Sequence, residues 1–230
     1  MINLKHSKTA ILIFSLSQEA ENLRKPFLQK KDTASKLNAL IKEKVSSLGV
    51  DYFHYTEKDQ KGNNFGERYV NTISEIFNKG YTNVITVGND TLSLEKKHLR
   101  TALDSVNSKK VPVGPSYDGG FYLLGLHKDQ FNASEFLSLP WESSTLYKEL
   151  KTLLSAKEIT TATLPYLYDL DEELDISKNI AALSFLKIKA LKLLQNLQVV
   201  ILRACKYILQ KFKEASLKLP YNKGPPLVCN

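Results

Sequence analysis

Cysteine is scarce in this chain of 230 residues: there are two, Cys205 and Cys229. That excludes a disulfide framework and a zinc site built on cysteine. Four histidines (His6, His54, His98 and His127) are scattered without metal-ligand spacing. Acidic residues almost vanish from the C-terminal quarter. Residues 176–230 carry ten Lys+Arg and one acid, Glu214, whereas residues 1–175 carry 22 basic and 23 acidic side chains. The net charge of +8 is therefore a property of a tail, and it gives no reason to expect a nucleic-acid partner for the fold. Long hydrophobic runs are missing as well. The longest uncharged run of the tail, 193–202, has ten residues, too few to span a bilayer.

What remains is 43% hydrophobic and 24% charged, which suits one medium domain with a sizeable core plus an appendage. Lys5 and Lys8 precede the apolar run AILIFSLS, a faint likeness to a signal peptide, but QEAENL follows without a small-residue cleavage site. The run reads as a first buried strand, TAILIFS (9–15). A helix is expected over 32–49, capped by Asp32 or Thr33 and stopped by Gly49. VDYFHYTE (50–57) is β-rich. FGERYVNTISEIFNKG (65–80) is a helix ending at Gly80, and TNVITVGND (82–90) a buried strand closing on a polar tip. A helix without a full capping box follows over 93–106. Then come the apolar stretch VPVGPSYDGGFYLLGL, a helix near 142–156, and the strand-like TATLPYLYDLD (161–171). Strand–helix alternation with nearly continuous apolar strands predicts an α/β fold with a mainly parallel sheet over 1–175. Ligands of such sheets bind at the carboxyl ends of the strands, so the tips Gly88-Asn89-Asp90 and Asp169-Leu170-Asp171 draw attention.

Three patterns stand in order: QKGNNFGERY (60–69), VITVGNDTLSL (84–94) and VGPSYDGGFYLLGL (113–126). Together they resemble a bacterial family of glycosyltransferase-A-like proteins, related to 2-phospholactate guanylyltransferase and, more distantly, to nucleotide-diphospho-sugar transferases. The family pattern runs Q-x-G-x-D-L-G-E-R-M, I-G-S-D-C-P-x-L, G-P-x-x-D-G-G-Y-Y-L-L-G-L, W-S-T and a late D-V-D-T, and the likeness covers about residues 9–175. It implies a three-layer α/β/α sandwich, Rossmann-like, and a metal-dependent transferase using a nucleotide-activated sugar. By the same likeness Asp90 and Asp171 would hold Mg²⁺ or Mn²⁺ against nucleotide phosphates. Asp90 and Asp118 would be catalytic. Asp118, Gly119 and Gly120 would hold the sugar or acceptor, and Arg68, Arg24 and Gln60 would bind substrate. Read from the residues alone, Asp90 and Asp171 could equally cap the helices after them, Asp118 could form a hairpin turn or bulge, and Trp141 could serve packing.

The first loop departs from the family's F-A-K-A-P-x-P-G-x-V-K-T-R-L. Here FSLSQEAENLRKPF (14–27) puts Glu21 at the glycine, Glu19 nearby and Pro26 at the arginine, leaving Arg24 with Lys25 beside it. Two carboxylates oppose a triphosphate, so glycosyl transfer is expected over nucleotidyl transfer. A non-catalytic relative acting as a binding or scaffold module is the other reading. Asn64 replaces an aspartate, Asn89 and Thr91 flank Asp90, and Glu172 follows Asp171. In the tail, apolar residues recur at helical spacing over 180–212. That helix would pack on its own domain, form a homodimer, or lie on an anionic membrane surface. The expected location is cytoplasmic, with membrane association through the tail as the variant, and the chain is expected to end in disorder.

Overall fold

The computed structural model describes residues 8–25 and 33–169. By its contacts the chain divides into residues 1–179 and 180–230, and every described residue lies in the first unit. The expected tail helix, its dimer and membrane roles, and Asp171 lie outside the described residues. No helix among the described residues is long and apolar enough to cross a membrane.

The elements run β1 (Thr9–Phe14), α1 (Gln18–Arg24), α2 (Thr33–Ser46), β2 (Asp51–Tyr55), α3 (Phe65–Asn78), β3 (Asn83–Val87), α4 (Lys96–Asn107), β4 (Val111–Pro115), β5 (Phe121–His127), α5 (Ala133–Leu137), α6 (Leu146–Ala156) and β6 (Thr161–Thr163). The six strands order as β2-β1-β3-β5-β4-β6. β5 alone runs against the rest, so the expected mainly parallel sheet is found. Alternation along β1 shows why it forms three layers. Ala10, Leu12 and Phe14 pack with α3, α5 and α6 residues such as Ile73, Phe136 and Leu150. Ile11 and Ile13 face the other way, onto Ile41 and Leu99 of α2 and α4. A strand buried on both faces has no polar side to alternate with.

Local chemistry moved several boundaries. α4 starts at Lys96, not 93, because the His98 imidazole Nδ1 accepts from the Glu95 N–H at 3.1 Å and supplies a cap that Ser93 does not. The strand expected over 161–171 ends at Thr163. Pro165 has no N–H to continue a ladder, and the chain rejoins the sheet only at Leu167, which bridges to Ser116. Within VGPSYDGGFYLLGL, β4 and β5 form an antiparallel hairpin with a register shift at Gly114/Pro115. Neither α1 nor α5 was foreseen. α1 occupies the first-loop segment, where Ser17 caps it by accepting from the Ala20 N–H. Ser17 is itself held by Glu57, whose two carboxylate oxygens accept from the Ser17 N–H and Oγ, both at 2.7 Å.

Candidate active site

β1, β3 and β4 end at the same edge of the sheet, and a cleft of ≈ 480 Å³ opens there. Ser15 and Leu16 extend from β1, Gly88, Asn89 and Asp90 from β3, and Ser116 from β4. This is where the topology of a parallel sheet leaves space. The floor is aromatic. Phe65, Tyr69, Phe121 and Trp141 contact one another at ring-centroid separations of 4.9–6.1 Å. Trp141 donates its indole N–H to the Phe136 carbonyl at 2.8 Å. A Cβ on Gly66 would come within 2.3 Å of its ring, so glycine there is what lets the indole lie flat on α3. Tyr69 hydrogen-bonds through its hydroxyl to Thr86, and burial pushes its phenol well above the ordinary range.

Six of the expected site residues line this cleft: Arg24, Gln60, Arg68, Asp90, Asp118 and Gly120. Gly119 does not line it. Its φ of +94° sits in a turn whose Cβ position lies 1.9 Å from the Ser144 carbonyl oxygen, so both conformation and close approach require glycine. The turn is tied by Ser116 N–H to the Gly120 carbonyl (3.1 Å) and Gly119 N–H to the Ser116 carbonyl (3.2 Å). Asp118 Oδ1 accepts from Ser116 Oγ at 2.6 Å and from the Gly120 N–H at 2.9 Å. The hairpin-turn reading of D-G-G is therefore realised, and the same turn delivers Asp118 and Gly120 to the cleft.

Gln60 donates its amide to the carbonyls of Ser15 (3.0 Å) and Tyr55 (3.1 Å), clamping the ends of β1 and β2. Asn64 caps α3 by accepting from the Glu67 N–H at 2.9 Å, which explains why an amide can stand where the family has aspartate. Asp90 caps nothing: α4 begins after Glu95. Asn89 is turned inward, donating to Asn38 at 2.9 Å. Asn38 also accepts from Ser15, whose Oγ is 2.8 Å from His54 Nε2.

Two lining residues escaped the sequence reading. Asp169 lines the cleft, while the expected Asp171 lies outside the described residues. The tip Asp169-Leu170-Asp171 offers two carboxylates in the D-V-D register, and the pattern does not distinguish them. Burial, then the nearby charge of Asp90 and more weakly that of Asp118, pushes the Asp169 carboxyl up to about 7; hydrogen bonds from Thr91 and Ser116 pull the other way. The three carboxylates thus share one electrostatic environment. The second residue is Lys25. Its ammonium lies 3.4 Å from Asp90 Oδ2 and 3.6 Å from Glu21 Oε1. Glu21, the acid at the family's glycine, is buried. Burial raises its carboxyl above the ordinary range; Lys25 opposes that, Asp90 adds to it, and Arg24 opposes it.

As arranged, the described side chains do not fit a divalent ion on Asp90; Asp171, the other expected ligand, lies outside them. An ammonium already faces Oδ2, and among the described residues no group of three His, Cys, Asp or Glu is placed to hold a metal.

Residues 40–143 match the profile of a family described as uncharacterised proteins conserved in bacteria, DUF2064. No curated protein matches the chain. A protein of Desulfovibrio desulfuricans G20, provisionally assigned as a nucleotide-diphospho-sugar transferase, superposes with a TM-score of 0.62 at 22% identity, over 72% of this chain and 83% of that one. Rv0371c of Mycobacterium tuberculosis H37Rv, solved as a manganese complex, gives a TM-score of 0.45 at 11% identity over 74% and 97%. A CMP:2-keto-3-deoxy-manno-octonic acid synthetase complexed with CTP gives 0.41 at 10% over 77% and 99%. The chain thus matches the DUF2064 profile over residues 40–143, and it shares the fold of the Desulfovibrio desulfuricans protein.

Proposed function

We propose that the cleft binds a nucleotide-activated sugar and transfers its glycosyl group to an acceptor hydroxyl. The observation that carries the reading is convergence. Asp90, Asp118 and Asp169, distant in sequence, line one cavity with two arginines at the carboxyl ends of the strands. The volume of ≈ 480 Å³ lies in the range of small-ligand sites. Arg24 and Arg68 present forked donors suited to diphosphate oxygens. Asp118 and the Gly120 peptide face the sugar or acceptor, and the aromatic floor suits a base or a sugar ring. In the transfer, the bond from the anomeric carbon to the diphosphate oxygen breaks and its electron pair leaves with the diphosphate. The acceptor oxygen bonds to the anomeric carbon, and its proton passes to the Asp118 carboxylate. The chain's contribution is positioning and charge neutralisation.

Calorimetry and thermal shift with UDP, GDP, CDP and their sugar conjugates test the reading. At least one conjugate should stabilise the full chain, and Arg68→Ala should weaken that binding roughly tenfold. Release of nucleoside diphosphate should disappear in Asp118→Asn. A panel in which nothing binds ends the proposal.

A further inference from the structure

Glu21, Lys25 and Asp90 form a charged trio in the cleft wall. Only 9% of the Lys25 side chain and 6% of that of Glu21 are exposed, against 32% for Asp90. Lysine is rarely buried this far without a carboxylate partner. Among the described residues two stand beside it, Glu21 and Asp90, and it still borders the cavity. Its placement is specific. Lys25 closes α1, with its N–H donating to the Glu21 carbonyl at 2.7 Å, and the Ser17–Glu57 clamp fixes the start of that helix. The ammonium is thereby aimed at Asp90, the carboxylate that ends central strand β3. A divalent ion on Asp90 Oδ2 would meet that ammonium directly. Expelling the ammonium would strand Glu21 in the wall without its counter-charge.

We infer that Lys25 is the resident cation of this cleft: its ammonium, held between Glu21 and Asp90, binds diphosphate oxygens directly, so that nucleotide binding needs no divalent metal. The inference rests on the proposed nucleotide reading and names how that site meets its phosphates. An ammonium carries three N–H donors and can serve carboxylate and phosphate oxygens together. Arg24, one residue before Lys25 and also on the cleft, extends the cationic edge. The acid at the family's glycine position then has a purpose. Glu21 holds the lysine that takes over the counter-ion's place.

The test uses the full chain, with Mn²⁺ followed by electron paramagnetic resonance and nucleoside diphosphates (UDP, GDP, CDP) followed by calorimetry. Wild type should bind no Mn²⁺ that Asp90→Asn abolishes, and its diphosphate affinity should be the same in EDTA as in Mg²⁺. Lys25→Met should weaken diphosphate binding by about tenfold or more in EDTA. It should also acquire an Asp90-dependent Mn²⁺ site. Circular dichroism checks its fold, and Lys25→Arg, which keeps the charge, should retain most of the affinity. An Mn²⁺ site in wild type that vanishes in Asp90→Asn overturns the inference, as does diphosphate binding abolished by EDTA. If no diphosphate binds at all, the nucleotide reading falls, while the Mn²⁺ comparison between wild type, Asp90→Asn and Lys25→Met still decides whether Lys25 occupies the cation position.

Discussion

Replacing Asp169 by asparagine should flatten the dependence of stability on pH. The folded carboxyl titrates at about 7 against an ordinary 3.8. Because its folded value is raised, the native state keeps a proton that the unfolded chain has released across the interval between the two values. The stabilisation linked to Asp169 is therefore complete below pH ~4, declines as pH rises, and is lost above pH ~7. A displacement of roughly three units corresponds to about 4 kcal/mol at 1.36 kcal/mol per unit. The carboxyl borders an open cleft, and solvent screening reduces the measurable effect to about 2 kcal/mol. Asparagine keeps the size and an acceptor for Thr91 but carries no charge at any pH. Wild type should lose about 4–8 °C in melting temperature between roughly pH 5 and pH 8 relative to Asp169→Asn. Thermal melts in matched buffers read this directly. Asp90→Asn supplies a second arm: with that neighbouring charge gone, the wild-type decline should move to lower pH. Parallel profiles for wild type and Asp169→Asn would refute the reasoning, because they would mean the carboxylate is ionised without penalty in the folded cleft.

Other substitutions probe the frame of the site. Gly119→Ala meets the Ser144 carbonyl in a backbone conformation with φ of +94°, so it should cost about 2–4 kcal/mol by urea unfolding; a change below about 0.5 kcal/mol contradicts the turn geometry. Gly66→Ala pushes into the Trp141 ring and should shift the emission of this only tryptophan to the red as the indole leaves the floor. Glu57→Ala removes both bonds to Ser17 and should cost about 1–2 kcal/mol, with faster amide exchange in α1 and not in α3.

The sheet was legible because its signal is periodic and redundant. Five consecutive apolar residues in β1 and a β-branched run in β3 whose five residues are all buried require cover on both faces, and any one of them could change without altering that reading. Helix ends were less legible because a single side chain decides them. His98 moved the start of α4, and Pro165 shortened the last strand. Within the site, charged residues were easier to place on the cleft than the residues that hold its frame. Asp90, Asp118 and Arg68 sit on the cleft as expected, but Gln60 is also a clamp between two strand ends, and Gly119 serves the turn. Asp169 was hidden by its neighbour in sequence, since the D-x-D pattern does not tell its two aspartates apart.

The first loop teaches the most about where such reading stops. Taken residue by residue, FSLSQEAENLRKPF looks like a phosphate loop that has decayed, with acids where a cradle should be. In three dimensions Glu21 and Lys25 are one helical turn apart, and the Lys25 ammonium pairs with both Glu21 and Asp90, more than sixty positions further along the chain. The damage at position 21 and the gain at position 25 are a single change of charge arrangement, and only the α1 helix makes them neighbours. No spacing rule for loops would pair them, because α1 itself depends on a cap anchored by Glu57 from beyond the next strand. A substituted motif is therefore weak evidence of lost function until the partner of each new charge is known. In this cleft the partner of the intruding acid is a cation pointed at the carboxylate that ends the central strand.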